Sequence, residues 1–426
     1  MSKAVAVALV IAMSATLAAC DGSSGARSPQ HTATVPVEGD PPSAAVPVKY
    51  DLPSGQAREV IAAQQAALRT SNAAAFARTW APGPRGGRQR GRAVAANLHA
   101  LGVTAIQLRL VAASRTSTGP SRADSHVWER DVNVHWSLTP EVAARVTSRL
   151  RYTFVSKRSR LYVRAVTVPR GEPAPPWLAD RLHVRRGSDV RVATATTPGD
   201  ATRLHRLLKV ANHDIAPLGL QHDSVVLAYL PATASQFGEA LGAAPQEYDG
   251  MAAVTTTLAG SDRPRAPMAI IINPRVWPRL RPIGARVVLT HEAVHALTGP
   301  VTLDMPAWLV EGFADDVAIR AAGVPLAVAA RQALGSVRRR GAPDRLPTER
   351  DFSGERSELE RAYQLSRLAM CAIRNVHGQR GLVSFYRHVA TGRGGVAAAL
   401  HRELATSRDT LTRQWRSHLL RLASAG

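Results

Sequence analysis

Residues 289–300 read LTHEAVHALTGP, and this stretch places His291 and His295 four residues apart with Glu292 between them. On an α-helix, residues at this spacing share one face, with their Cβ atoms about 5–6 Å apart. Glu292 is rotated by about 100° from His291, so it flanks that face without lying on it. The stretch therefore encodes either a metal-binding pair of histidines or two histidines that share a helix face for packing reasons.

Two imidazoles on one helix face can bind a single Zn2+, each through one nitrogen at about 2.0–2.1 Å. A carboxylate at Glu292 can then take a proton from a metal-activated water and deliver it to a leaving group. A helix is expected here because Pro282 precedes the apolar run and Gly299 follows it. Chance alone can supply so short a match, so a third ligand has to decide between a metal site and a structural histidine pair.

The third ligand is expected downstream. A metzincin would require glycine at position 298 and histidine at position 301, where the chain has Thr298 and Val301. The segment PAWLVEGFADD (306–316) instead offers Glu311, and the helical register places Asp315 on the same face. Two histidines and one glutamate leave a fourth zinc position open for water, as in catalytic sites. Asp315 is then placed to accept the free ring N–H of a ligand histidine.

The segments THEAVHALTG and PAWLVEGFADD together resemble the gluzincin metallopeptidases of the peptidase-MA-like group. The resemblance covers roughly residues 200–395 and includes AYQLSRLAMCAIRNVHG. The gap before the glutamate is shorter than in thermolysin-like relatives, so the insert that shapes substrate pockets there is missing. When the roles of the family's motif positions are transferred to this sequence, the resemblance implies that His291, His295 and Glu311 bind one Zn2+ per chain. It also implies that Glu292 is the general base and that Asp315 supports a ligand histidine.

Further residues are candidates around this centre. Tyr363 is the candidate donor for stabilising an oxyanion, although a tyrosine on a helix also serves simply to pack. Asp304 lies near enough in sequence to compete as a ligand, but it falls in an expected loop and ranks behind Glu311. The run MAIIINP (268–274) is expected to be the strand over the cleft, able to pair with an extended peptide, or else a plain core strand.

The N-terminus has the order of a secretory signal, with Lys3 followed by the apolar run AVAVALVIAMSATLAA. Its end, Leu17-Ala18-Ala19-Cys20, resembles the lipobox of bacterial lipoproteins. That resemblance implies cleavage before Cys20 and lipid on this residue, which would hold the protein outside the cytoplasm, on the outer face of the cell membrane. The alternative is an ordinary signal with a chance cysteine. Cys371 then lacks a disulfide partner and is expected to be a small buried residue.

The chain is expected to be an α+β protein with two folded units. Between residues 51 and 185, helical spacing precedes alternating apolar residues such as Val132, Val134 and Trp136. This order resembles the cone-shaped nuclear-transport-factor-like or cystatin-like domains. The expected segments are a lipoprotein signal peptide (1–20), a flexible Ser/Pro/Gly-rich linker (21–50), the α+β nuclear-transport-factor-like domain (51–185) and a mainly helical, zincin-type metallopeptidase domain with a small sheet (186–426).

The chain is strongly basic, with 54 lysines and arginines against 32 acidic residues and a formal net charge of +22. Nearly all of this positive charge is arginine, which also fits the codon bias of a GC-rich genome. A net charge of this size favours contact with anionic cell-envelope polymers. Nucleic acid is not an expected partner for an exported chain, so the basic run RGGRQRGR (85–92) is interpreted as a solvated loop.

The function expected from these features is that of a lipid-anchored, extracytoplasmic zinc metallopeptidase acting on a peptide or protein. A second hypothesis is a non-catalytic, zinc-containing surface binding or scaffold lipoprotein, because no substrate-recognition residue is visible in the sequence. In a third, the basic surface is primary and grips anionic wall polymers.

Overall fold

The computed structural model describes residues 7–8, 54–83, 86–111, 127–139, 145–220, 225–244, 247–248, 250–261, 266–299, 303–353 and 356–425. Apart from Val7–Ala8, the predicted signal peptide lies outside these residues, as do Cys20 and the predicted linker. The described part of the chain contains two sheets and is mainly helical, which confirms the α+β class. Among the described residues, no helix is long and apolar enough to cross a membrane.

The strands are β1 Val7–Ala8, β2 Ala105–Leu110, β3 Val127–Ser137, β4 Val146–Lys157, β5 Arg160–Thr167, β6 His183–Arg186, β7 Val190–Thr194, β8 Val226–Leu230, β9 Ala253–Thr257 and β10 Met268–Ile272. The helices are α1 Ser54–Arg69, α2 Ala73–Arg78, α3 Gly87–Leu101, α4 Pro198–Ile215, α5 Ala234–Leu241, α6 Pro282–Thr298, α7 Ala307–Ala321, α8 Leu326–Ala329, α9 Arg331–Arg340, α10 Arg356–Ala390, α11 Gly395–Leu404 and α12 Arg408–Ser424. Helix α10 is interrupted at Gly378, where φ is 70°.

The N-terminal unit is a four-stranded antiparallel sheet, in the order β2-β3-β4-β5, with α1 to α3 packed on it. The alternation predicted for β3 is observed, since Val132, Val134 and Trp136 are all fully buried. A hairpin at SKRS (156–159) joins β4 to β5. Its two central residues, Arg158 and Ser159, both have positive φ, as a tight two-residue hairpin turn requires.

The second sheet has six strands in the order β1-β9-β10-β8-β7-β6. Strands β7, β8 and β10 are parallel, and β9 and β6 flank them in antiparallel orientation. Of the two interpretations of MAIIINP, the plain core strand is confirmed, and pairing of β10 with a peptide is excluded because β10 is hydrogen-bonded on both sides. Every residue of β10 is buried, as a central strand covered on both faces requires. Strand β9 lies next to the edge of this sheet, and its outer side pairs, among the described residues, only with the two residues of β1.

The six-stranded sheet separates two hydrophobic cores. In β8, Ala228 and Leu230 pack into the core formed with α4, α6, α7 and the C-terminal helices. Leu227 and Tyr229 point the other way and share a core with the N-terminal unit. The predicted domain boundary at 185 falls inside β6, which pairs with β7 in the second sheet. The two units are therefore joined through one shared core.

Candidate metal centre

Helix α6 carries His291, Glu292 and His295 and lies between the six-stranded sheet and α7. Its predicted ends are confirmed, with Pro282 in the first turn and Gly299 as a left-handed C-cap at φ 62°. The Gly299 N–H closes the last turn by donating to the His295 carbonyl. Almost every residue from Ala285 to Thr298 is buried, so the histidines face protein and not solvent.

Three side chains converge as the sequence predicts. The Nε2 atoms of His291 and His295 lie 2.8 Å apart. The Glu311 Oε2 atom lies 3.2 Å from His291 Nε2 and 3.5 Å from His295 Nε2. Ligand atoms at 2.0–2.1 Å from a tetrahedral zinc stand about 3.3 Å from one another, close to these separations. The buried cluster of His291, His295 and Glu311 can therefore hold a metal ion.

Asp315 lies where the helical register predicts, one turn after Glu311 on α7. Its Oδ1 atom is 2.9 Å from His291 Nδ1, the ring nitrogen that faces away from the cluster. This contact fixes the orientation of the His291 ring and leaves Nε2 for a metal. The corresponding Nδ1 atom of His295 is buried and has no hydrogen-bond partner among the described residues.

Tyr363 lies on α10 beside the same cluster. Its ring centroid is 6.4 Å from that of His291, and Phe352 packs edge-on against it at 5.3 Å. Burial raises the pKa of Tyr363 well above its ordinary value, and the neighbouring carboxylates and a hydrogen bond with Glu311 add to this effect. The hydroxyl therefore keeps its proton throughout the neutral pH range.

The electrostatics of the cluster favour bound positive charge. Burial lowers the pKa of His291, but hydrogen bonds to Asp315 and Glu311 outweigh burial and raise this pKa to about 10. Burial likewise raises the pKa of Glu311, but the two histidines outweigh it and bring the value down to about 2. The carboxylates of Asp315 and Glu311 thus favour a positive charge on the His291 imidazole, and a divalent cation bound at the cluster would be stabilised by the same carboxylates.

Glu292 is fully buried, and its carboxylate approaches a strand residue that sequence reasoning did not single out. The Thr255 Oγ1 atom on β9 lies 2.5 Å from Glu292 Oε2. The other carboxylate oxygen, Oε1, has no hydrogen-bond partner among the described residues. Burial raises the pKa of Glu292 against the opposing influence of His291 and His295, which is the direction a general base near neutral pH needs.

Asp304 does not join the cluster. It lines a surface pocket of about 290 Å³ with Pro306 and Trp308 at the start of α7. Among the described residues, the group of acidic, histidine and cysteine side chains placed to hold a metal consists of His291, His295 and Glu311. The interpretation of Asp304 as a competing ligand is therefore not supported by its position.

Gly312 is a second residue that sequence reasoning missed. A Cβ atom at this position would lie 2.6 Å from the backbone oxygen of Ser366 on α10. Only glycine allows α7 and α10 to approach this closely, and the approach brings Tyr363 on α10 next to Glu311 on α7. A single glycine in EGFADD (311–316) is not part of a repeated small-residue pattern, so the sequence gives no sign that Gly312 contacts another helix.

Gly312→Ala is expected to destabilise the protein by about 1–3 kcal/mol, because the helix backbones must separate to admit the methyl group. Gly335→Ala on α9 is the matched control, since its Cβ atom would meet only a flexible arginine end at 3.4 Å. That control is expected to be neutral or slightly stabilising, because alanine is the better helix former. Urea unfolding of both variants measures the difference; equal stability would show that the α7–α10 contact relaxes freely.

No protein-family model matches the chain, and no curated protein matches it significantly.

Proposed function

We propose that the protein is a zinc metallopeptidase, exported and anchored by lipid on Cys20 to the outer face of the cell membrane. The observation that carries the proposal is the buried set of two histidines and one glutamate, with donor atoms at separations close to those a tetrahedral zinc needs. A carboxylate on the same helix as the histidines, Glu292, lies beside this set, and its Oε1 atom has no hydrogen-bond partner among the residues that the structure describes. The net charge of +22 further favours contact with anionic envelope polymers.

In this proposal His291, His295 and Glu311 hold one Zn2+ per chain, which would lower the pKa of a water and polarise a peptide carbonyl. Glu292 accepts the proton of the attacking water at Oε1 and delivers it to the leaving amine. Asp315 keeps His291 in the required orientation through its 2.9 Å contact. Tyr363, which retains its proton, is the candidate donor for the developing negative charge on the carbonyl oxygen.

A peptide is the substrate class that the neighbouring strand favours. Strand β9 packs against α6 and contacts the proposed base through Thr255. Its outer edge accepts an extended segment, because Val7 and Ala8 pair there in antiparallel register. Cleavage before Cys20 would remove these residues and leave the edge free for strand addition by another peptide.

A non-catalytic, zinc-containing surface binding or scaffold lipoprotein is the second candidate. The observation that favours it is the enclosure of the centre, because His291, Glu292 and His295 are 0% exposed and Glu311 is only 5% exposed. A peptide reaches such a centre only after the surrounding elements rearrange, whereas a structural zinc needs no access.

The decisive experiment uses Glu292→Gln in a soluble chain that begins at Gln30. The wild type is expected to cleave members of a peptide library in a zinc-dependent manner. The variant is expected to bind as much zinc but to lose about 10²–10⁴-fold in kcat/KM, because the amide cannot accept the proton of water. Glu239→Gln on α5, which removes a surface carboxylate bonded to Ser235, is the matched control. Zinc-loaded wild type without cleavage would favour the binding protein. Cleavage that is unchanged in Glu292→Gln would show that Glu292 is not the general base.

A further inference from the structure

Thr255 makes an unusual contact with the proposed base. Its Oγ1 atom lies 2.5 Å from Glu292 Oε2 and 3.1 Å from the Glu292 main-chain oxygen. Both residues are fully buried, so no bulk water competes for these atoms. The contact joins the strand beside the site to the helix that carries the two histidines.

The contact determines which carboxylate oxygen of Glu292 is available. A glutamate side chain rotates about three bonds, and a buried carboxylate without a hydrogen bond is costly. The short bond to Thr255 fixes the carboxylate and satisfies Oε2. Because Oε1 has no partner among the described residues, it is the oxygen left to exchange a proton with a reactant.

A second threonine on the same strand shows that burial alone does not require this hydroxyl contact. Thr257 lies two residues along β9, on the same face, and is 1% exposed. Its Oγ1 atom has no hydrogen-bond partner among the described residues. Thr255 therefore differs from a buried threonine in the same setting by its bond to Glu292.

We infer that Thr255 is a positioning residue, which holds Glu292 through Oε2 so that Oε1 faces the reacting water. The inference rests on the proposed peptidase function and adds to it a residue that acts on the base without touching zinc or substrate. It also gives β9 a second role, because the strand that offers an edge to a peptide then also sets the orientation of the base.

Three variants test the inference in the zinc-loaded protein. Thr255→Val keeps the shape and removes the hydroxyl, and it is expected to lower kcat by about 10–100-fold with KM changed by less than about twofold. Thr255→Ser keeps the hydroxyl and is expected to retain most of the wild-type kcat. Thr257→Val is the matched control and is expected to leave kcat, KM and zinc content unchanged.

A double-mutant cycle separates this inference from the proposed function. Thr255→Val and Glu292→Leu, alone and combined, are expected to shift the urea midpoint non-additively, whether or not the protein cleaves peptides. If the wild type cleaves peptides and Thr255→Val has a normal kcat, the positioning role is overturned and the peptidase proposal stands. The same holds if Thr255→Ser loses as much kcat as Thr255→Val. If the two substitutions are coupled but the zinc-loaded wild type cleaves no peptide, both proposals are overturned and the contact between Thr255 and Glu292 is structural.

Discussion

Glu311→Gln is expected to reduce the zinc content of the purified protein from about one ion per chain to near none. The amide of glutamine is a poor zinc ligand, and two histidines alone supply too few donors for a stable tetrahedral site. The variant keeps the volume of Glu311 in a position that is only 5% exposed, so the change tests ligation and not packing. Metal analysis after gel filtration gives the stoichiometry.

A graded series makes this result specific. His295→Ala is expected to abolish zinc binding as Glu311→Gln does. Asp315→Asn is expected to keep the stoichiometry at saturating zinc but to weaken affinity by about 10–100-fold, because it perturbs only the partner of His291. His418→Ala, which removes a buried histidine outside the cluster, is the control and is expected to bind like the wild type. Full zinc content in both Glu311→Gln and His295→Ala would show that the metal binds elsewhere.

The same variants report how strongly the metal stabilises the fold. At a free zinc concentration of 1,000 Kd, binding contributes about 4 kcal/mol to the free energy of unfolding. Chelation is therefore expected to lower the Tm of the wild type and of His418→Ala while leaving that of Glu311→Gln unchanged. An equal response of all three proteins to the chelator would place the stabilising metal outside this site.

The metal ligands could be predicted from the sequence because, in a helix, the spacing between two residues determines whether their side chains lie on the same face. His291, His295, Glu311 and Asp315 all lie on the faces their spacing predicts, since both helices are regular through these positions. Thr255 could not be predicted, because its role depends on the packing of β9 against α6, 37 residues further along the chain. No local pattern in AVTTTLAG distinguishes Thr255, which bonds to Glu292, from Thr257, whose hydroxyl has no partner within the described part of the chain.

The order of strands was the least predictable part of the fold. The apolar run of β10 fits a core strand as well as a strand over a cleft, and only pairing with β8 and β9 decides between them. The sequence predicts two domains with a boundary at residue 185. Contacts across the six-stranded sheet join those units, and such contacts leave no trace in local composition. The export signal and the lipid anchor stay predictions.

The shared core has a large expected consequence when the N-terminal unit is removed. A chain that begins at Pro169 keeps strands β6 to β10 but loses β1, α1 to α3 and the four-stranded sheet. Four large side chains lose part of their cover, while α5 still packs on that face: Leu227, Tyr229, Val254 and Ile271. Each contributes about 1.5–3 kcal/mol when fully buried, so the loss has an upper limit of about 6–12 kcal/mol. A typical free energy of unfolding is only about 5–15 kcal/mol, so the truncated chain is expected not to fold cooperatively.

The truncated chain is therefore expected to aggregate or to bind a hydrophobic dye, and to hold little zinc, although every proposed ligand is present. A chain that begins at Tyr50 is the control, because it lacks only residues before α1 and is expected to unfold in one transition with normal zinc content. A monomeric Pro169 chain with a sharp unfolding transition and one bound zinc would show that the helical core alone sustains the metal centre. The expected failure would instead show that the N-terminal unit maintains the sheet on which α6 and its histidines pack.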